Sequence, residues 1–416
     1  MPCQSVHIAD DTRTLHTVTV IAGTHKAAQP SLLPLGRPVY LDCCATSPLD
    51  PEVREEVLIY FDEEYGNAGS RTHLFGQAAK DRVNQARAEV AAVTAAQQDE
   101  VIFTSGATES DNMALLGLAR QGLASGRRHL ISTMIEHKAV LGPLAALKDD
   151  GFEVTLVPPT EGGWTDPDAI AAALRPDTLA VSVMAVNNET GVIQPVPEIA
   201  SVMSGHDAYL HVDAAQAFGK LPGMLQHQRI DLISISGHKI YAPKGVGALI
   251  TRRRGYSKPP LNPLAFGGGQ ERGLRPGTLP VPLIAGLGTA ARLALRDHHK
   301  REQYCAVFKA QLLEAFAPLN PQLNGDPART VPHAVNLSVP GLDAEAAMLA
   351  VKDLIAISNG SACTSQRYEP SHVLTAMALS DDRVRGALRI SWSHLTPAPD
   401  WATVVARLAR VRQPAA

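Results

Sequence analysis

Most lysines are solvated surface residues, but Lys239 sits in the string Ser236-Gly237-His238-Lys239, directly after the apolar run "DLISIS". That setting would carry its amine to the mouth of a cleft instead of to an exposed helix face. A lysine near a phosphate site and an acid can form a Schiff base with an aldehyde cofactor. Pyridoxal 5'-phosphate asks three things of a protein: that lysine, a cup for the phosphate, and an Asp for the pyridinium nitrogen. Asp213, in "HVDAAQ" at the end of another apolar run, can supply the Asp. The turn from Thr104 through Ser105, Gly106, Ala107 and Thr108 to Ser110 can supply the cup. Small residues at a helix start leave backbone N–H groups free for a phosphate. Neither this turn nor "APKGVGAL" around Lys244 matches the phosphate loop of nucleoside triphosphatases. His137, in "EHKAV", could lie against the cofactor ring or move protons.

These residues need elements to bring them together. "EVIFTSG", "HLISTMI", "EVTLVPP", "LAVSVMAV", "YLHVDAA", "DLISISG" and "GALITRR" are short apolar runs, mostly flanked by helical stretches. None alternates apolar and polar cleanly, so each reads as a strand buried on both faces of a mostly parallel, helix-covered sheet. In such a sheet ligands bind beyond the carboxyl ends of the strands. The polar groups collect there: Thr104-Ser105-Gly106, Glu136-His137, Asn187-Asn188-Glu189, Asp213 with Gln216, and Ser236 to Lys239. Together they describe one cleft. A helix is expected to open near Pro51, a second helical run follows from Arg71, and a long helix starts around Asp297. The remainder, with "VNLSVPG" and the final strand "ALRISWS", reads as a smaller α+β domain. The expected divisions are an N-terminal extension (1–38), a large cofactor-binding domain (39–296) and a small C-terminal domain (297–416). The first ten or so residues of the large domain are expected to pack with the small one.

The chain has 416 residues, 38 Lys and Arg against 41 Asp and Glu, and a formal net charge of −3. That length accommodates two or three domains, or one large α/β domain with an appendage. The near-neutral balance argues against direct nucleic-acid binding, which usually needs a basic excess. No stretch approaches the ~20 apolar residues that cross a bilayer. Five cysteines, with no CxxC pair or Cys/His cluster at zinc-ligand spacing, predict neither a disulfide framework nor a metal site. Residues 1–38 lack the apolar core of a secretory signal. They are expected to be a flexible extension, or the product of a start codon set too far upstream. A cytoplasmic location is the expectation.

Ten strings stand in unbroken order from Tyr40 onward: "YLDCCATSPLDP", "GNAGSRTHLFG", "FTSGATESDN", "EHKAV", "VNNETGVIQP", "HVDAAQAFGK", "SISGHKIYAPKGVGAL", "GGGQERGLRPGT", "SNGSACTS" and "LRISWS". In this the chain resembles the cysteine desulfurases, class V members of the fold-type I pyridoxal phosphate enzymes. The resemblance implies that Lys239 holds the cofactor, Asp213 pairs with its ring nitrogen, and Gln216 bonds its ring hydroxyl. It implies that His137 stacks on the ring and shuttles protons, and that Asn188 helps to hold cofactor and substrate. The phosphate would lie among the Ala107 and Thr108 amides, Ser236, His238 and, across a homodimer interface, Thr278 of the second subunit. Arg389 would clamp the carboxylate of L-cysteine, where a bidentate guanidinium is the natural choice, and Asn67 is a second candidate for that carboxylate. Ser393 is a departure: the family commonly has Gly after the tryptophan, which bears on the loop beside Arg389.

Cys363 lies among small polar neighbours in "SNGSACTSQ", where the family motif ends. The resemblance makes its thiolate the group that attacks the substrate sulfur, leaving a persulfide on Cys363 and releasing L-alanine. Such a nucleophile must be ionised, with His137 a reasonable proton acceptor. Cys43, Cys44 and Cys305 are expected to be buried small hydrophobes. The stretch around Cys363 resembles the group with a long cysteine loop that passes sulfur to protein acceptors. Its continuation "SQRYEPSHVLTAMAL" is similar to desulfurases of DNA phosphorothioation systems, with iron–sulfur cluster and tRNA thiolation enzymes close by. A cysteine or selenocysteine lyase, an aminotransferase of the same fold, and a non-catalytic docking platform are the competing readings. The platform would have lost Lys239 or Asp213, and both are present.

Overall fold

Asp50 opens the helical part of the chain. Its carboxylate accepts the Glu52 N–H, and Pro51 takes the first helical position, where no N–H donor is needed. The computed structural model describes residues 36–360 and 370–412. Among them the chain runs through β1 (Val39–Tyr40), α1 (Pro51–Asp62), α2 (Leu74–Thr94), β2 (Val101–Thr104), α3 (Ala107–Ser125) and β3 (His129–Thr133). It continues through α4 (Lys138–Asp149), β4 (Glu153–Val157), α5 (Pro167–Ala173), β5 (Thr178–Met184), α6 (Val196–Val202), β6 (Tyr209–Asp213), β7 (Leu232–Ser236) and β8 (Gly247–Thr251). The rest comprises α7 (Val281–Arg296), α8 (His298–Phe316), β9 (Gln322–Leu323), β10 (Ala334–Ser338), α9 (Ala344–Val351) and β11 (Ile355–Ala356). Last come α10 (His372–Ala376), α11 (Asp381–Arg385), β12 (Ala387–Ser391) and α12 (Trp401–Val411).

The seven apolar runs of the sequence are β2 to β8, and they form one sheet in the order β2-β8-β7-β6-β5-β3-β4. β8 is antiparallel to both of its neighbours, and the remaining pairs are parallel. Successive side chains point to opposite faces. Val101 and Phe103 therefore join the cluster that includes α1, α2 and α7, while Ile102 between them packs with α3 and α4. Each fully buried aliphatic side chain is worth about 1.5–3 kcal/mol relative to exposure, so covering both faces stabilises apolar runs that alternation could not.

A smaller antiparallel sheet, β12-β10-β9, carries its own core. Phe308 and Phe316 of α8 meet Trp392 and Leu408 there, with Phe308 stacked 5.0 Å from Trp392. β1 pairs in parallel with β11, and Leu41 joins this second cluster.

Candidate active site

A cavity of about 560 Å³ opens beyond the carboxyl ends of β2, β3, β5, β6 and β7, a size ordinary for a small-molecule site. Lys239 reaches it from a single turn after β7, and its Nζ donates to the carbonyls of Cys44 at 2.5 Å and Ala45 at 2.8 Å. Two residues on, the buried Tyr241 holds a left-handed φ of 69°, with its N–H on Ser47 Oγ at 2.9 Å. A bulky residue in that region is strained, and the strain sits next to the lysine.

Asp213 ends β6, and its Oδ1 accepts the Ala215 N–H at 2.9 Å. Burial above all, with Asp111 adding, pushes its pKa up to about 7. Such a carboxyl gains most from a cationic partner, as a protonated pyridine nitrogen would be. Gln216 donates to the Cys44 carbonyl at 2.9 Å, while its buried Oε1 has no partner. It is therefore ready to accept a hydroxyl. His137 caps α4: its Nδ1 accepts the Ala139 N–H at 3.1 Å, which puts the neutral ring's proton on Nε2. Burial holds its pKa below the usual histidine range.

The phosphate end is built from the start of α3. Gly106 takes φ 155° and ψ 179°, a conformation open essentially to glycine alone, and no side chain caps the helix. The first amides of α3, at Ala107 and Thr108, line the cavity together with Ser236 and His238. Gly247 on β8 allows this turn to sit close, because a Cβ there would lie 2.6 Å from Gly106 Cα. Burial, with Lys239 and Lys244 adding, takes the His238 pKa down to about 4, so the ring is neutral. Glu109 binds the Ser105 N–H at 2.6 Å and Arg275 Nε at 3.0 Å, tying the first turn of α3 to the loop that carries Thr278.

Arg389 comes from the other sheet. It lies on β12 and is only 2% exposed, with Nη2 on Asp42 at 2.7 Å and Nη1 on the Asn188 carbonyl at 3.0 Å. Ser393 stands where a glycine was expected, yet it has no left-handed φ. Its hydroxyl lies 3.1 Å from Thr396 Oγ1 and accepts the Leu395 N–H at 3.2 Å, so the serine stabilises the turn beside Arg389. Cys363 lies outside the described residues. The chain on both sides of it meets Glu189, the neighbour of Asn188: Ser371 Oγ bonds Glu189 Oε2 at 2.5 Å. A Cβ on Gly360 would stand 3.4 Å from the same oxygen.

The cavity thus gathers Ala107, Thr108, His137, Asn188, Asp213, Gln216, Ser236, His238, Lys239 and Arg389. It does not include Asn67 or Thr278. Asn67 is exposed and its Oδ1 is taken by the Gly69 N–H at 2.8 Å; Thr278 is exposed on the surface of the chain. Cys43 and Cys305 are buried thiols with pKa values pushed by burial to about 11 and about 12. Cys44 is buried too, but it lines the cavity and its carbonyl holds both Lys239 and Gln216. Sequence reasoning also passed over Asp42 and Asp111, and it considered Lys244 only to set aside a nucleotide-type phosphate loop. An acid placed four residues into the helix after a phosphate turn was the available signal for Asp111; a main-chain carbonyl leaves no signal. The free amides, the unpartnered Gln216 oxygen, the raised Asp213 and the tethered amine all fit pyridoxal phosphate.

The class-V aminotransferase family matches residues 39–400. Human cysteine desulfurase is 44% identical over 372 residues, covering 89% of this chain and 80% of that protein. The crystal structure of DndA from Streptomyces lividans superposes with a TM-score of 0.75 at 50% identity, over 85% of this chain and 99% of that one. SspA in complex with cysteine gives a TM-score of 0.76 at 34% identity, over 86% and 100% of the two chains.

Proposed function

The chain belongs to the class-V aminotransferase family and is a pyridoxal-phosphate-dependent cysteine desulfurase, and on that premise we propose how its residues divide the reaction. The bound cofactor supplies an electron sink for the substrate's α-carbon. Lys239 is the amine that holds it, Asp213 balances its ring nitrogen, and the unpartnered Gln216 Oε1 accepts its ring hydroxyl. The Ala107 and Thr108 amides, Ser236 and the neutral His238 receive the phosphate, together with Thr278 of a second copy in a homodimer. Arg389 binds the carboxylate of L-cysteine, held in place by Asp42 and the Asn188 carbonyl; Asn188 contributes to both cofactor and substrate. Asn67 keeps a role at the carboxylate only if its side chain leaves the Gly69 amide.

Sulfur removal falls to Cys363. Its thiolate attacks the substrate sulfur: an S–S bond forms, the C–S bond breaks, and carbon keeps the electron pair. A proton from the site, with Nε2 of His137 as carrier, completes L-alanine. The observation that carries the reading is the convergence of Lys239, Asp213 and Arg389 on one cavity. Cys363 comes three residues after Gly360 in the sequence, and a Cβ on Gly360 would lie 3.4 Å from Glu189, the neighbour of Asn188.

The sulfur is passed to a protein acceptor. The "SQRYEPSHVLTAMAL" segment favours a DNA-phosphorothioation acceptor over an iron–sulfur or tRNA-thiolation one, with any nucleic acid contacted by partners and not by this near-neutral chain. No helix among the described residues is long and apolar enough to cross a membrane, and the cytoplasm is the proposed site of action. The test is alanine formation from L-cysteine, with and without reductant, by the wild type and by Cys363→Ser. Alanine from the wild type alone supports the persulfide route; equal alanine from both would move the protein to the lyases.

A further inference from the structure

The layer beneath the cavity holds more acid than the proposed chemistry uses. Asp111, on α3, is fully buried, lines the cavity, and has no hydrogen bond on either carboxylate oxygen. Its Oδ1 stands 3.4 Å from His211 Nε2 on β6. That ring is already held on both sides, by Ser182 Oγ of β5 at 2.8 Å and Ser234 Oγ of β7 at 2.9 Å. Burial takes the His211 pKa down to about 4 and that of Asp111 up to about 7 against the pull of the Ser234 hydroxyl, so both are held toward their neutral forms. From the loop before α4, Glu136 completes the layer, its Oε1 bonded to Thr133 Oγ1 at 2.8 Å and to the Met184 N–H at 2.9 Å. Burial raises the Glu136 carboxyl well above its ordinary range. His137, beside it, is the other titratable group facing Asp213, and it too is held toward the neutral form.

Asp111 and Asp213 bear on each other electrostatically in a low-dielectric layer, which disfavours ionising both. The structure decides between them. Asp213 has the Ala215 N–H at 2.9 Å to stabilise a negative oxygen, whereas neither Asp111 oxygen makes a hydrogen bond of good geometry and only the Ser234 hydroxyl favours its charged form. Once Asp213 is charged, it pushes the Asp111 carboxyl further toward its protonated form.

We propose that Asp111 is a positioning residue held as the neutral acid beside His211, so that the single negative charge of this layer stays on Asp213 against the cofactor's ring nitrogen. This deepens the reading given above and rests on Asp213 as the partner of that nitrogen. Asparagine would copy the neutral acid, since it has the same shape and an N–H donor. Alanine would leave a void in the buried layer beneath the cavity.

The experiment compares four holoenzymes: wild type, Asp111→Asn, Asp111→Ala and Asp213→Asn. It measures pyridoxal phosphate dissociation by equilibrium dialysis and the visible absorbance of the bound cofactor from pH 6 to 9. Asp111→Asn should stay within about threefold of the wild type in affinity and keep its absorbance–pH profile, because no charge has been removed. Asp111→Ala should bind the cofactor about tenfold more weakly, the usual cost of a lost buried partner. If Asp111→Asn moves the absorbance profile as Asp213→Asn does, or loses as much affinity as Asp111→Ala, then Asp111 works as an anion and the proposal fails. If Asp213→Asn itself leaves both readouts unchanged, the ring-nitrogen reading fails, whatever Asp111 does.

Discussion

Arg389 shows how little of a binding residue is its side chain alone. A guanidinium buried to 2% exposure would be costly without partners, and among the described residues Asp42, the Asn188 carbonyl and Ser358 Oγ at 3.3 Å hold it. These contacts fix the plane of the fork before any substrate arrives, so less entropy is lost when a carboxylate binds. Lysine could keep the charge but not the fork. Arg389→Lys is therefore expected to lower kcat/KM for L-cysteine by about a hundredfold, the scale of losing charge-assisted hydrogen bonds. The visible absorbance of the cofactor should be unchanged, since Arg389 is proposed to meet only substrate. Steady-state alanine production read beside that spectrum checks it, and an unaltered kcat/KM would remove Arg389 from the carboxylate site. The arginine was legible in "LRISWS"; its partners were not, because one is a main-chain carbonyl and the other two lie 347 and 31 residues away in sequence.

Elements explain where the phosphate end comes from. The turn into α3 works only because two glycines meet: Gly106 adopts a backbone that side chains avoid, and Gly247 leaves room for it across the β2–β8 pair. A methyl group at 247 would lie 2.4 Å from the Ile235 carbonyl and 2.6 Å from Gly106 Cα, both main-chain atoms that cannot swing aside. Gly247→Ala should destabilise the protein by about 1–3 kcal/mol, as overpacking does. It should also weaken cofactor binding, by displacing the first amides of α3. A lowered melting temperature with undiminished cofactor affinity would separate the two effects and refute the second. Most of the seven strands could be read from the sequence because they are short apolar runs buried on both faces; β4, at the sheet edge with Glu153 and Leu156 exposed, is the exception. β11, two residues long, carries no periodicity to read and exists only through its pairing. Asn67 shows the opposite limit: its motif is present, but the folded chain spends the side chain on the Gly69 amide, a local turn that the spacing alone does not distinguish from a ligand.

On the scale of the whole molecule, Thr278, proposed as the last phosphate donor, is exposed and does not line the cavity of its own chain. The loop 267–278 is pinned by Glu271, Arg272 and Arg275, with Arg272 Nη1 on the Val101 carbonyl at 3.2 Å. Glu271 is buried and takes Arg87 in a two-pronged ion pair at 2.8 and 2.6 Å as well as the Phe103 N–H at 2.7 Å; Arg275 holds Glu109 at 3.0 Å. A loop so firmly fixed at the start of β2 and α3 nonetheless leaves Thr278 exposed, and close by in sequence Phe266 is 87% exposed. A second copy gives both residues a use: it buries apolar surface and brings a hydroxyl to a neighbour's phosphate. The expected sedimentation mass of the holoenzyme is therefore twice that of the 44.2 kDa chain. Thr278→Ala should keep that mass, because one small side chain contributes little to an interface. It should bind pyridoxal phosphate more weakly, by about ten- to a hundredfold, the range for a lost hydrogen bond to a charged group. Pairing Thr278→Ala subunits with Lys239→Ala subunits separates donor from receiver. In the mixed dimer the Thr278→Ala subunit keeps its own Lys239 and receives an intact Thr278, so it should regain tight binding. The Lys239→Ala subunit has lost both its covalent anchor and the neighbour's hydroxyl. A monomer that holds the cofactor at full affinity, or a mixed dimer no better than the Thr278→Ala parent, would place the whole phosphate cup within one chain.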